Sequence, residues 1–149
     1  EAVGFPWRLI WCSKVPRKVA FFAWIAMWGA ILMLDNLQKR GFVLANRCAM
    51  CREELELVNH LFLHCKWAGD LWHLLLSMFG MDWVLPKFMK DVFFCWDLKY
   101  LWRMAPLCLV WCLWCERNRR MFEEKELSPA RLKYSFLNIL HFWAKDSFS

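Results

Sequence analysis

At 149 residues the chain is long enough for one domain with its own buried core. Apolar residues make up 60% of it, with twelve Trp and thirteen Phe, where an average soluble domain carries about 45–50%. Such an aromatic load cannot all be hidden in a domain this small, which predicts exposed apolar patches awaiting a partner surface. A net charge of +6 permits contact with nucleic acid or an acidic surface without demanding it.

In chain order, the opening EAVGFPWRLIWCSKVPRK has charges throughout and no basic region ahead of an apolar run, so a secretory signal is not expected. The first residue is Glu1, not Met, as expected of a piece of a longer product. Without a secretory route the eight cysteines are expected to stay reduced or bind metal, in an intracellular and, by the resemblance given below, nuclear setting. The longest uncharged stretch, Val19 to Leu34, falls short of the roughly 18–20 residues of a spanning helix. A buried helix explains it better than a membrane segment. Pro16 suits a first turn, and Val19, Phe22, Ala23, Ala26, Met27 and Ala30 share one face. Trp24 and Trp28 lie off that face, so the helix is expected to be sandwiched on more than one side.

Asp35 is placed to cap a short helix over 36–40, with Gly41 as its stop. After a loop, Ala68, Leu71, Trp72, Leu75 and Phe79 keep helical spacing over about 67–79, ended by Gly80. Further helices are predicted over 88–96, over 105–122 and, with Ser128 as cap and Pro129 at the first position, over about 130–144. Strand-like alternation is almost absent, so the fold class is mostly α: a small helical domain over 1–149 with one metal-binding loop at about 46–67.

That loop holds RCAMCREELELVNHLFLHCKW, with three Cys and two His. Cys48 and Cys51 have the C-x2-C spacing at which a tight turn aims two thiolates at one ion, and zinc then needs two more ligands to close a tetrahedron. His60 and Cys65 supply them. His64, four residues after His60 and on the same face of a helical segment, is a rival for the fourth place. Cys65 is preferred because a thiolate is a charged, stronger ligand. The plainer alternative is a set of core cysteines and a helix histidine; a thioredoxin-like redox pair lacks its βαβ surroundings. Four good protein donors point to one closed, structural Zn2+ rather than a catalytic ion, although Glu53, Glu54 and Glu56 lie near.

These residues bring the chain into line with a family. It resembles the zinc-binding domain at the C-terminal end of plant LINE-type (non-LTR) retrotransposon reverse transcriptases. The likeness rests on Leu9-Ile10-Trp11, Val15-Pro16-Arg17-Lys18-Val19, Phe21-Phe22-Ala23-Trp24, Asp35-Asn36-Leu37 and Arg40-Gly41 upstream. Its centre is Cys48-x2-Cys51, Val58-Asn59-His60-Leu61-Phe62, Cys65 and Leu71-Trp72. Downstream, Trp111-Cys112-Leu113-Trp114 leads into Glu116-Arg117-Asn118-x-Arg120-x-Phe122, similar to the family's ERN signature. The resemblance implies Cys48, Cys51, His60 and Cys65 as ligands, and a non-catalytic domain of a retrotransposon polyprotein that aids RNA or DNA binding. No Asp-Asp pair for a polymerase palm, P-loop, G-x-S-x-G or H-E-x-x-H occurs, so this piece is not expected to be an enzyme.

Three other sets of residues compete for a role. Cys108, Cys112 and Cys115 repeat the C-x2-C spacing but fall inside a predicted helix, where core packing is the expectation. Cys12 and Cys95 are lone, and His73 and His141 read as surface residues. Arg117, Arg119 and Arg120 are candidates for phosphate contact; the competing reading is the solvated end of a helix, with Glu116 and Arg120 paired across one turn. Trp11, Trp24, Trp72, Trp111 and Trp114 are expected to pack helices together before serving as stacking surfaces. The alternative to nucleic-acid binding is a structural module whose surplus aromatic surface docks on its parent polyprotein or on a second copy.

Overall fold

The structure, a computed structural model, describes residues 7–12, 14–43, 45–99 and 103–147. Among the described residues seven α-helices and one π-helical turn follow in order: α1 (Trp7–Cys12), α2 (Arg17–Met27), α3 (Leu34–Lys39), the π turn (His60–His64), α4 (Lys66–Met78), α5 (Met89–Lys99), α6 (Met104–Phe122) and α7 (Pro129–Ser147). No strand occurs among the described residues. The fold is mostly α, as the sequence predicts.

The long central helix is α6, which packs on α7, α2, α4 and the π turn. It can do so because its first three turns are almost wholly apolar: Ala105, Leu107, Cys108, Leu109, Val110 and Leu113 are all buried. Against it α2 lays Val19, Phe22, Ala23 and Ala26, and the Phe22 ring sits 5.4 Å from Trp111 and 5.3 Å from Trp114. Burying a side chain the size of Phe22 is worth about 1.5–3 kcal/mol. Ser128 caps α7, its Oγ accepting from the Arg131 N–H at 3.2 Å.

The uncharged run from 19 to 34 does not form one helix. Helix α2 stops at Met27, Gly29 takes φ +70° and the chain turns away. No described helix is long and apolar enough to cross a membrane. The expectation that α2 is sandwiched on several sides is corrected here: Phe21, Trp24 and Trp28 are 53%, 37% and 59% exposed. Trp11 is 46% exposed, so neither Trp11 nor Trp24 is a core residue, whereas Trp72 is buried and donates its Nε1–H to the Phe62 carbonyl at 2.8 Å. The predicted exposed patches are present, and Phe42, Val43, Val84, Phe122 and Phe142 add to them.

Helix α3 also begins differently. Met33 takes the N-cap position, Asp35 makes no capping bond and its Oδ1 is buried without a partner. The acceptor for the first free amide, Leu34 N–H, is instead Glu56 Oε1 at 3.1 Å, from 22 residues downstream. Gly41 (φ +94°) and Gly80 (φ +63°) turn the chain at the ends of α3 and α4, where predicted. Helix α1 was not legible from the pattern; its Leu9 and Ile10 are fully buried beside α2 and α5.

Candidate metal centre

The loop between α3 and α4 has little regular structure, yet its donors converge. Cys48 Sγ, Cys51 Sγ, a His60 ring nitrogen and Cys65 Sγ all lie within 4.8 Å of one another. Cys48 and Cys65 are buried, Cys51 and His60 half-buried. Local backbone bonds produce the turn: Arg52 N–H donates to the Cys48 carbonyl at 2.8 Å and Cys48 N–H to the Glu54 carbonyl at 2.8 Å. Arg52 closes the knuckle in the left-handed region, φ +62°, where an L residue costs roughly 1–2 kcal/mol.

The second pair of donors is placed by the π turn. In a regular α-helix residues five apart point about 140° away from each other, given 3.6 residues per turn. Here the Cys65 N–H reaches back to the His60 carbonyl at 2.7 Å, an i→i−5 bond, and Cys65 then leaves in extended geometry. One wide turn therefore brings His60 and Cys65 to the same point. His64 does not join them. His64 is exposed, and its Nε2 lies 2.9 Å from the Lys87 carbonyl, where it fastens the loop after α4.

The donor set fits zinc. Bonds of about 2.3 Å give a tetrahedron with edges of about 3.8 Å. The Cys48–Cys65 Sγ separation is 4.0 Å and the Cys51 Sγ to His60 Nε2 separation 3.3 Å. Electrostatics point the same way. Hydrogen bonding to Cys65, then burial, pushes the Cys48 thiol up, while Cys65 is held below the ordinary thiol value by receiving that bond. Successive deprotonations thus oppose each other until a dication is present to offset them. Burial lowers His60 against the opposing pull of Glu54, favouring the neutral imidazole that can ligate. Among the described residues no second group of this kind converges. Cys108 is buried with its Sγ 3.8 Å from the Phe136 carbonyl, and burial raises Cys115 to about 11, so these thiols are core packing as expected.

The ERN segment of α6 turns out to hold the knuckle. Arg117 is 1% exposed and Glu56 is fully buried. The guanidinium grips both carboxylate oxygens, with Nη2 to Oε1 at 2.7 Å and Nε to each oxygen at 3.2 Å. Glu56 also accepts from Ala49 N–H inside the knuckle at 3.4 Å, and its own N–H donates to Asn46 Oδ1 at 2.8 Å. Arg120, with 3% of its side chain exposed, stacks 4.2 Å from the Trp67 ring centroid. It donates to the Met50 carbonyl at 3.1 Å and to buried Glu116 at 2.9 Å. Glu116 further pairs with Arg119 and accepts from Leu127 N–H at 2.8 Å.

Arg117 and Arg120 are thus committed to buried carboxylates and carbonyls, and neither offers its guanidinium to a phosphate. Only Arg119, about a third exposed, keeps access to solvent. Of the competing picture, the Glu116–Arg120 pair across one turn is present, whereas the solvated helix end is not, because Glu116 and Arg117 are buried. The residues missed by sequence reasoning are Glu56, which had been weighed only as a neighbouring base, and Asn59, whose Oδ1 accepts from Met89 N–H at 2.8 Å and caps α5. Glu56 set between Leu55 and Leu57, and Arg117 at the end of an apolar helix, carry the only local signal that could have paired them.

A helical domain closed around a Cys3His knuckle is a structural zinc module by class. Residues 1–72, 72 of the 149, match the family model described as zinc-binding in reverse transcriptase, and all four donors fall in that stretch. The segment is similar to the zinc-binding accessory domain found in reverse transcriptases, which is not their catalytic part. Comparison with curated proteins and with solved structures gives no match.

Proposed function

We propose that the chain is a non-catalytic accessory domain of a LINE-type retrotransposon reverse transcriptase of the plant kind, folded on one structural zinc ion and assisting the binding of RNA or DNA. The observation that carries this reading is the convergence of Cys48, Cys51, His60 and Cys65 within a segment that matches the reverse-transcriptase zinc-binding family. Four protein donors complete the tetrahedron and leave no position for a substrate or an activated water. The net charge of +6 supports a polyanionic partner and the nuclear setting that goes with it. Elemental analysis of the reduced protein tests the metal, with one zinc per chain expected. Titration with single-stranded RNA and DNA at several salt concentrations tests the partner: affinity should fall steeply with salt. A flat salt response, or no binding at micromolar protein, refutes the nucleic-acid part.

The exposed Val43, Val84, Phe122 and Phe142 favour a second reading, docking on the parent polyprotein or a second copy. Light scattering separates the readings, since a clean monomer that binds oligonucleotides supports the first alone.

A further inference from the structure

We propose that the outer face of α2 is a stacking platform for a single strand of RNA or DNA. The proposal rests on the nucleic-acid reading above and gives it a location, now that Arg117 and Arg120 are accounted for in the interior.

Arg17, Phe21, Trp24 and Trp28 follow one another at i, i+4, i+7 and i+11, a single stripe along the helix, and all four are exposed. The opposite face of α2 carries its buried side chains, so the stripe is not surplus core. Phe21 and Trp24 lie 5.9 Å apart, and Trp11 from α1 extends the row at 6.1 Å from Trp24. From Phe21 to Trp28 the helix rises about 10 Å at ~1.5 Å per residue, room for two or three bases. Rings of this kind accept any base, because every base has a π-face.

The charges around the row are mostly positive. No Asp or Glu occurs from Ala2 to Leu34, while Lys14, Arg17 and Lys18 crowd its N-terminal end. At the other end Lys90 Nζ stands 5.6 Å from the Trp28 ring centroid. Two carboxylates belong to neighbouring elements: Asp91, exposed next to Lys90 on α5, and Asp35, half-buried on α3. Alternating rings and cations match a polymer of bases and phosphates. A second copy is a poor occupant, since a two-fold axis, parallel or perpendicular to the stripe, sets the cations Lys14, Arg17 and Lys90 against cations of the other copy.

The test uses the full zinc-loaded chain and fluorescence anisotropy of oligo(U) and oligo(dT) of roughly 12 nucleotides, within the range of single-strand site sizes. Trp24→Ala should weaken binding about tenfold with the salt slope unchanged. Phe21→Ala/Trp28→Ala should weaken it further, and Arg17→Gln should flatten the slope by about 0.7. All these side chains are exposed, so circular dichroism should match wild type. Arg119→Gln should bind as wild type. If the ring variants bind oligonucleotide as tightly as wild type, the platform is wrong and the wider nucleic-acid reading survives. If wild type binds no oligonucleotide, both fall, and capture of phosphatidylserine vesicles through Trp24 would then reassign the face to an anionic membrane surface.

Discussion

Replacing Arg117 by Met separates a structural role for the ERN segment from a nucleic-acid role. The substitution keeps most of the aliphatic volume and removes the guanidinium. It leaves Glu56 fully buried with its three Arg117 contacts gone and only the Leu34 and Ala49 amides as donors. Stripping one partner from a buried pair costs about 3–5 kcal/mol, because the remaining charge has no solvent to turn to. The Leu32 carbonyl also loses its donor, at 3.0 Å. Against a total stability of roughly 5–15 kcal/mol this is a large share. Tm should fall by on the order of 6–20 °C at this chain length. The assay is denaturant and thermal unfolding of the zinc-loaded protein, run as a cycle with Glu56→Gln and the double variant. The double variant should be less destabilised than the sum of the singles, since its buried carboxylate is gone along with its partner. Additive effects, or Arg117→Met unfolding within about 1 kcal/mol of wild type while losing oligonucleotide affinity, would show that Arg117 faces a ligand instead.

Cys48→Ser and His60→Ala should each lower zinc content and melt the segment around 42–65, read by chelator challenge while following helix content, because binding energy at such a site is largely folding energy. His64→Ala should retain full zinc, its loss being the single contact to the Lys87 carbonyl; a zinc-free His64→Ala would reverse the ligand assignment. In the zinc-free protein burial depresses His60, so its unfolded form binds the proton more readily. That contribution is present above the ordinary imidazole value of about 6.5 and is lost as pH falls below it. Zinc should leave over the same acidic range, since its ligands must be deprotonated. Metal retention measured by dye competition between pH 7 and 5 checks this, and retention independent of pH would refute it.

The helices were legible because their signals are local. The apolar spacing of Ala68, Leu71, Trp72 and Leu75 and the Ser128-Pro129 start both need only neighbouring residues, and both are found where the pattern puts them. The four donors were legible for a related reason: C-x2-C followed by His and Cys is a short-range pattern with a chemical meaning. What escaped depends on distant partners or on winding. Nothing local to Asp35 says that Glu56 takes its place at the start of α3. Nothing in His60-Leu61-Phe62-Leu63-His64 announces a π turn, yet that turn is what returns Cys65 to His60. Phe21, Trp24 and Trp28 are indistinguishable by type from core aromatics, so only the structure reveals that they are exposed.

The family match ends at Trp72, but the physical unit does not. The described residues of the loop from 42 to 57 contain no helix, and their backbone conformation must be fixed by something other than secondary structure. Zinc would tie the knuckle to the π turn and to the start of α4; none of its donors orients the knuckle against α6. That second task falls to α6, through Arg117 on Glu56 and Arg120 on the Met50 carbonyl, both outside the matched segment. The two devices are complementary: a buried carboxylate at Glu56 is tolerable only with Arg117 beside it, and Arg117 finds it only where the knuckle is already closed. Metal and ion pair should therefore unfold together rather than in sequence, with α6 acting as the wall on which the knuckle is hung.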